Sequence, residues 1–140
     1  MNDEIIAVDP GRQKCGVAVV GRGGVVVKMV VETVSLGGVV SELAEQYKIR
    51  TVVVGNRTSH NAAVKIIEGV EINGGPPTIE LVDEHRSTDE ARGRYWIDHP
   101  PRGLARLWPV TLRVPPVPVD DYVAVILAER YFAKNNIKRQ

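Results

Sequence analysis

The sequence has one cysteine, few aromatic residues and no long apolar run. Cys15 has no second cysteine with which to form a disulfide, which favours a reducing, intracellular compartment. No stretch of about 18 apolar residues exists, and residues 1–4 lack the basic segment of a signal peptide. We therefore expect a cytoplasmic protein with no membrane partner. The histidines His60, His85 and His99 lack the spacing of paired metal ligands, so a zinc site is not indicated.

An excess of one charge is also missing, because the formal net charge is only +1. The charges are nevertheless unevenly distributed along the chain. Residues 1–84 hold 8 Lys/Arg and 11 Asp/Glu, a net charge of −3, whereas residues 85–140 hold 10 and 6, a net charge of +4. An acidic half beside a basic half can indicate a cation site next to a surface that contacts phosphates. An ordinary solvated surface explains the same distribution equally well.

The length of 140 residues predicts a single domain spanning residues 1–140. Short runs rich in β-branched residues alternate with segments of helical period, and a proline-rich stretch at 98–118 predicts an irregular excursion. The predicted order is three antiparallel strands extended by parallel βαβ units, which gives an α/β fold with a mixed sheet and helices on its faces. The predicted strands are 4–9, 15–20, 25–33, 50–55 and 78–83; the predicted helices are 38–48, 61–70, 88–97 and one that begins at 120.

Three acidic residues stand at the boundaries of predicted elements. Asp9 ends the first strand, Glu84 ends the fifth, and Asp120 begins the last helix. Functional groups of open α/β sheets gather at such strand ends, and converging carboxylates repel one another unless a cation neutralises them. Ligation by oxygen alone suits Mg²⁺ or Mn²⁺.

Each acid also has a simpler interpretation. Asp9 before Pro10-Gly11 is typical of a turn, and it also resembles the phosphate-loop acid of actin-like and sugar-kinase ATPases. Those ATPases need two lobes, and this chain holds only one. Glu84 can be a solvated residue, and Asp120 can be a helix cap.

The three acids stand in three sequence blocks: residues 8–19 (VDPGRQKCGVAV), residues 82–91 (VDEHRSTDEA) and residues 119–127 (VDDYVAVIL). In this order the blocks resemble the opening, the central acidic block and the last helix of the YqgF (RuvX) family of precursor ribosomal RNA nucleases and Holliday-junction resolvase-like proteins. Where the family usually has Arg after the acid, this chain has His85, followed by Arg86. The resemblance implies an RNase H-like fold and places Asp9, Glu84 and Asp120 in the catalytic, metal-binding triad.

The same resemblance implies a nuclease that uses Mg²⁺ or Mn²⁺, with two ions at the site. Structured RNA is the first substrate expected and branched DNA the second, cut by a monomer or a homodimer. A catalytically inactive nucleic-acid-binding module is the alternative. Trp96 and Trp108 can stack on bases or pack in the core, and core packing is favoured. Candidate contacts to the phosphate backbone are Lys14, Arg57, Lys65, Arg86, Arg92 and Arg94.

Overall fold

The computed structural model describes residues 3–56, 60–72, 74–100 and 119–139, with side chains up to residue 135. These residues form five strands and four α-helices in the order that the sequence predicts, and a short 3-10 helix at Thr33–Ser35 precedes the first α-helix. The elements are β1 Ile5–Asp9, β2 Lys14–Gly21, β3 Gly24–Glu32, α1 Leu36–Tyr47, β4 Thr51–Gly55, α2 His60–Glu68, β5 Thr78–Val82, α3 Ser87–Asp98 and α4 Asp120–Arg139.

The strands form one mixed sheet in the order β3-β2-β1-β4-β5. β1 pairs antiparallel with β2, and β2 pairs antiparallel with β3, so the first three strands are a meander. β4 is parallel to β1 and β5 is parallel to β4. The predicted fold is therefore confirmed. The carboxyl ends of β1, β4 and β5 lie at one edge of the sheet, where ligand sites of parallel α/β sheets usually form.

The alternation of side chains along β1 divides the interior into two layers. Ile6 and Val8 face α1 and α2, in a cluster that includes Val40 and Ile67. Ile5 and Ala7 face α4 on the opposite side of the sheet. Helices therefore cover both faces, as predicted.

Small residues allow α4 to lie close against the sheet. Ala7 and Ala18 are direct partners in the β1–β2 register, and both are fully buried against Ala124 and Ala128 of α4. The other side of α4 packs on α3, in a cluster that includes Tyr95. α4 thus joins the sheet to α3, and its position depends on how small the side chains beneath it are.

One local prediction at the start of α3 is wrong. The sequence Ser87-Thr88-Asp89-Glu90 suggests a capping box with Ser87 as N-cap. In the structure Arg86 is the N-cap residue, in the left-handed region at φ 58°, and no side chain caps the helix. Ser87 is itself helical and 1% exposed, and Glu90 pairs with arginines instead. The irregular segment expected at 98–118 lies outside the described residues from 101 onward, and its first residue ends α3.

Candidate functional site

Asp9 is the last residue of β1 and lies half-buried in the middle of the sheet. Because side chains alternate along a strand, Asp9 shares the face of Ile5 and Ala7, which is the face covered by α4. Its partner in β2 is Gly16. Its neighbour in β4 is Gly55, which follows the pair Val8–Val54 in the parallel register. Asp9 therefore has a glycine on each side.

The glycine in β4 leaves room for the carboxylate of Glu84. A Cβ atom added to Gly55 would overlap Glu84 Oε1 and would lie 2.5 Å from Glu84 Cγ. Glu84 is only 3% exposed, which is unusual for an acidic side chain. Since neighbouring strands lie about 4.8 Å apart, the Glu84 carboxylate occupies the space directly beside Asp9.

The glycine in β2 leaves room for the start of α4. A Cβ atom added to Gly16 would overlap the backbone carbonyl of Asp120 and would lie 2.8 Å from Asp121 N. The first turn of α4 therefore rests on the sheet on the other side of Asp9. The structure thus brings Asp9, the Glu84 carboxylate and the backbone of Asp120 to one face and one end of the sheet.

The turn that follows Asp9 is held in place by the segment after β3. Thr33 Oγ1 donates a hydrogen bond to Gly11 O at 2.9 Å, and Thr33 N donates to Gln13 O at 2.8 Å. Cys15 Sγ lies 3.4 Å from Thr33 Oγ1, where either atom can be the donor. A Cβ atom at Gly11 would overlap Lys14 O, so this tight turn requires glycine. The buried thiol of Cys15 has a structural role in this network.

Hydrogen bonds hold the Glu84 loop, residues 83–86, and the residue before it, Val82. Asp83 Oδ1 accepts the N–H of His85 at 3.0 Å, and Glu84 O accepts the N–H of Ser87 at 2.9 Å. Arg130 of α4 donates to Asp83 O at 2.8 Å, and Asn56 N donates to Val82 O at 3.1 Å. β5 ends at Val82, so Glu84 lies two residues beyond the strand. A loop without strand partners is therefore ordered by its neighbours.

Asp121, the residue after Asp120, is bound to the sheet. Lys28 Nζ lies 3.0 Å from Asp121 Oδ2 and 4.2 Å from the centre of the Tyr122 ring. Tyr122 OH donates to Asp98 Oδ2 at 2.9 Å, which joins α4 to α3. Of the two adjacent acids, Asp121 is thus paired with a cation, whereas the backbone of Asp120 lies over Gly16.

The pKa of Asp120 is raised above 3.8, first by burial and then by the negative charge of Asp121, while Lys14 opposes the rise. The Asp120 carboxyl group thus interacts with Lys14 and Asp121. Within residues 3–56, 60–72, 74–100 and 119–139, no group of three or more His, Cys, Asp or Glu side chains is arranged to hold a metal ion. Beside Asp9, the carboxylate of Glu84 and the backbone of Asp120 occupy the two glycine positions.

The residues predicted to contact phosphates differ in their exposure and in their place relative to these acids. Lys14 begins β2 and is exposed, and its charge acts on Asp120. Arg86 is exposed and follows Glu84 by two residues. Arg92 is half-buried on α3, and Lys65 is exposed in the last turn of α2. Arg57 lies outside the described residues.

Two other candidates have partners within the fold. Arg94 Nη1 bonds Glu129 Oε2 at 2.8 Å, its second terminal nitrogen bonds Glu129 Oε1, and this bonding raises its pKa. Trp96 packs edge-on against Tyr95, with ring centres 5.0 Å apart, beside the cluster between α3 and α4. The core-packing interpretation of Trp96 is confirmed, and Trp108 lies outside the described residues.

Sequence reasoning missed the residues that arrange the acids. Gly16 and Gly55 stood in predicted strands without an assigned role, and Thr33, Lys28 and Arg130 were not singled out. A glycine in the interior of a buried strand is a usable signal, because it weakens the strand unless something approaches closely. No local pattern indicates the contact of Arg130 with Asp83, since these residues are separated by 47 positions.

The fold is similar to that of solved Thermus thermophilus RuvC structures. A RuvC structure in complex with a Holliday junction substrate matches with a TM-score of 0.57 at 14% identity, covering 94% of this chain and 96% of that chain. A second RuvC structure matches with a TM-score of 0.50 at 13% identity and the same coverage. The chain matches no protein-family model and no curated protein sequence. The likeness shows an RNase H-like α/β fold.

Among the residues that the structure describes, no helix is long and apolar enough to cross a membrane.

Proposed function

We propose that the protein is a divalent-metal-dependent nuclease that hydrolyses phosphodiester bonds in structured nucleic acid. The observation that supports this most strongly is the pair of glycines beside Asp9. Gly55 has no side chain, and the Glu84 carboxylate occupies the space that a side chain would fill. Gly16 likewise leaves room for the start of α4. A buried carboxylate beside a second acid is costly unless a cation compensates for the repulsion.

The donors at the site suit a hard divalent cation. Asp9, Glu84 and Asp120 supply oxygen ligands only, as Mg²⁺ and Mn²⁺ prefer. The Glu84 carboxylate lies in the space beside Asp9 and the backbone of Asp120 lies on the other side, so all three acids would hold the ion only with the Asp120 side chain turned toward Asp9. Two bound ions, the number that the YqgF resemblance implies, would supply charge stabilisation at the phosphate and lower the pKa of a water.

The residues around the acids supply the remaining chemistry. Lys14, whose charge acts on Asp120, and Arg86, in the Glu84 loop, would hold the phosphates that flank the scissile bond. Glu84 or Asp120 would orient the attacking water. Burial of Glu84 limits the access of bulk water to the centre of the site.

Two substrates remain candidates. Structured RNA, as in the processing of precursor ribosomal RNA, is our first choice because of the resemblance to the YqgF family. Branched DNA is the second, and it is supported by the structural likeness to a RuvC that is bound to a Holliday junction substrate. A resolvase would act as a two-fold dimer with symmetric cuts, whereas an RNA-processing nuclease can act as a monomer.

One panel tests the reaction and the substrate together. Wild type, Asp9→Asn and Asp89→Asn are incubated with single-stranded RNA, a precursor ribosomal RNA fragment, duplex DNA and a four-way junction, with Mn²⁺ or with EDTA. Asp89 is an exposed acid in the first turn of α3, so its variant controls for the loss of one charge. We expect cleavage by wild type and Asp89→Asn that requires Mn²⁺, and none by Asp9→Asn.

The outcomes separate the alternatives. Equal cleavage by wild type and Asp9→Asn would refute the metal-site assignment. Binding that weakens with salt but is indifferent to Mn²⁺, without cleavage of any substrate, would indicate the inactive binding module instead.

A further inference from the structure

We propose that Arg130 of α4 is a positioning residue that sets the place of the Glu84 carboxylate. The inference rests on the proposed nuclease function and adds a residue to it. Arg130 bonds the backbone carbonyl of Asp83 and pairs with Glu90, so its proposed effect on the site passes through the backbone next to Glu84.

The contact that carries the proposal is a single hydrogen bond. Arg130 Nη1 donates to the carbonyl oxygen of Asp83 at 2.8 Å. That oxygen belongs to the planar peptide unit that also contains the nitrogen of Glu84. Fixing the oxygen therefore fixes the plane in which the Glu84 backbone begins. Because β5 ends at Val82, no strand pairing holds this peptide unit in place.

Glu84 needs a defined backbone position because its side chain lies in a narrow space. The carboxylate occupies the volume that a side chain at Gly55 would fill, and the residue is 3% exposed. A small rotation of the Asp83–Glu84 peptide would move the carboxylate against the β4 backbone or away from Asp9. The hydrogen bond from Arg130 opposes that rotation.

α4, the helix that carries Arg130, also positions Asp120. Asp120 begins α4 over Gly16, and Arg130 follows ten residues later, about 15 Å along the helix axis. α4 packs on β1, β2 and α3 between these two points. One rigid element therefore fixes Asp120 directly and Glu84 through Arg130, so the spacing of the two acids depends on α4.

Arg94 is a matched control, because both terminal nitrogens of its guanidinium are bonded to Glu129 and are therefore not available for the phosphate contact that the sequence suggested. The side chains of Arg94 and Arg130 are exposed to a similar extent, 34% and 31%, and both pair with Glu90. Arg94 bonds Glu129, whereas Arg130 bonds the carbonyl of Asp83. Removing either arginine weakens the contacts between α3 and α4, but only the loss of Arg130 removes the contact with the Glu84 loop.

The experiment compares wild type, Arg130→Met, Arg130→Lys and Arg94→Met on the nucleic acid that wild type cleaves best. The readout is the Mn²⁺ concentration that gives half-maximal cleavage, measured alongside the melting temperature. We expect Arg130→Met to raise that concentration by about 10-fold, the lower range for residues that orient metal ligands. Arg130→Lys should restore most of the loss, since an ammonium group can donate to the same carbonyl. Arg94→Met should melt like Arg130→Met but keep the wild-type Mn²⁺ requirement.

A second readout does not depend on activity. The N–H groups of His85 and Ser87 are bonded within the Glu84 loop, and their hydrogen exchange should accelerate by roughly 10-fold in Arg130→Met but not in Arg94→Met. Equal Mn²⁺ requirements, or equal exchange, in the two methionine variants would overturn the proposal. If Arg130→Met fails to fold, Arg130→Gln is compared in its place, and an unchanged Mn²⁺ requirement again overturns it.

Failure of the proposed function gives a different pattern. A wild-type protein that cleaves nothing with Mn²⁺ refutes the nuclease, while faster exchange at His85 and Ser87 in Arg130→Met still supports the positioning of the loop.

Discussion

At the scale of single residues, two glycines, which have no side chains, shape the site as much as the acids do. Gly16 and Gly55 flank Asp9 in the sheet, and their side-chain spaces are taken by Asp120 and Glu84. Glycine in a strand interior weakens the strand, so these positions cost stability. The cost is offset by the close approach of α4 and of the Glu84 carboxylate.

Gly55→Ala tests the space beside Asp9. The new methyl group would overlap Glu84 Oε1, so we expect the carboxylate to move and metal-dependent cleavage to fall at least about 10-fold. Overpacking should lower the free energy of unfolding by about 1–3 kcal/mol, measured by urea denaturation. Gly38→Ala in α1 is the control, because a Cβ there meets nothing within 4 Å; it should raise stability by roughly 0.5–1 kcal/mol. Full activity in Gly55→Ala would contradict this account of the site.

Asp120→Asn tests the electrostatics of the first turn of α4. The pKa of Asp120 is raised above 3.8, mainly by burial, so folding favours the protonated carboxyl group. The stability that this group contributes is therefore complete below pH 3.8 and is lost as the pH rises through its folded pKa. At pH 7, without metal, Asp120→Asn should melt at the same temperature as wild type or higher, and the difference should shrink toward pH 3.8.

Asp121, the neighbouring acid, provides a control in which the melting temperature should change in the opposite direction. Asp121→Asn removes the ion pair with Lys28, so its melting temperature at pH 7 should fall. Both variants are compared by thermal denaturation across pH. A lower melting temperature for Asp120→Asn than for Asp121→Asn at pH 7 would contradict the raised pKa.

The places of the three acids in the fold could be predicted from the sequence, whereas the contacts that hold them could not. Each of the three acids, Asp9, Glu84 and Asp120, stands where the hydrophobic pattern of a strand ends or that of a helix begins, and this makes them recognisable in the sequence. Thr33 and Arg130 act through backbone carbonyls 22 and 47 positions away, and a hydrogen bond to a carbonyl leaves no pattern in side-chain periodicity. The capping box, which the sequence predicts and the structure lacks, shows that a clear local pattern can also mislead. Ser87 and Glu90 have the right spacing, but burial of Ser87 and ion pairs of Glu90 outweigh local capping.

At the scale of elements, α4 has the largest role. It packs on the sheet through Ala124 and Ala128 and on α3 through Val123 and Leu127. Its first turn is bonded to β3 by Lys28 and to α3 by Tyr122. The strands and most helix bounds were predictable from alternation and period. The docking of α4 was not, since it depends on which small residues of different strands become neighbours.

Tyr122→Phe tests the bond between α3 and α4. Loss of the hydrogen bond to Asp98 should lower the free energy of unfolding by about 1 kcal/mol at pH 7. Burial, followed by the bond to Asp98, raises the pKa of Tyr122 from 10.0 to about 12. Its contribution is therefore complete below pH 10 and is lost as the pH approaches 12. The gap between wild type and Tyr122→Phe, measured by urea denaturation, should be constant from pH 7 to 10 and shrink above it; a constant gap up to pH 12 would contradict this assignment.

At the scale of the whole molecule, acidic and basic residues lie together at the carboxyl ends of the strands. The acids at the carboxyl ends of the strands are accompanied by exposed cations on two sides, Lys14 at the start of β2 and Arg86 in the Glu84 loop. Arg94, in contrast, is neutralised by Glu129. We propose that this arrangement is a cation site beside a phosphate-binding surface, which is one of the two interpretations that the uneven charge of the sequence left open.

The salt dependence of binding tests that surface. With Ca²⁺ or EDTA in place of Mn²⁺, Lys14→Ala and Arg86→Ala should each reduce the slope of log K against log salt by about 0.7–0.9 per lost phosphate contact. Arg94→Met should leave the slope unchanged, because its guanidinium is already paired. The measurement is fluorescence anisotropy with a labelled RNA hairpin and a four-way junction. Unchanged slopes in both alanine variants would remove these residues from the interface.

The contact between Gly16 and Asp120 also has a consequence for the order of folding. It joins positions separated by 104 residues, and closing so long a loop is slow compared with forming the β1–β2–β3 meander. A refolding chain should therefore gain most of its β-structure before α4 docks, and it should do so without a working site. Catalytic activity would then return later than the far-ultraviolet signal of the sheet, at the rate at which α4 packs against Gly16.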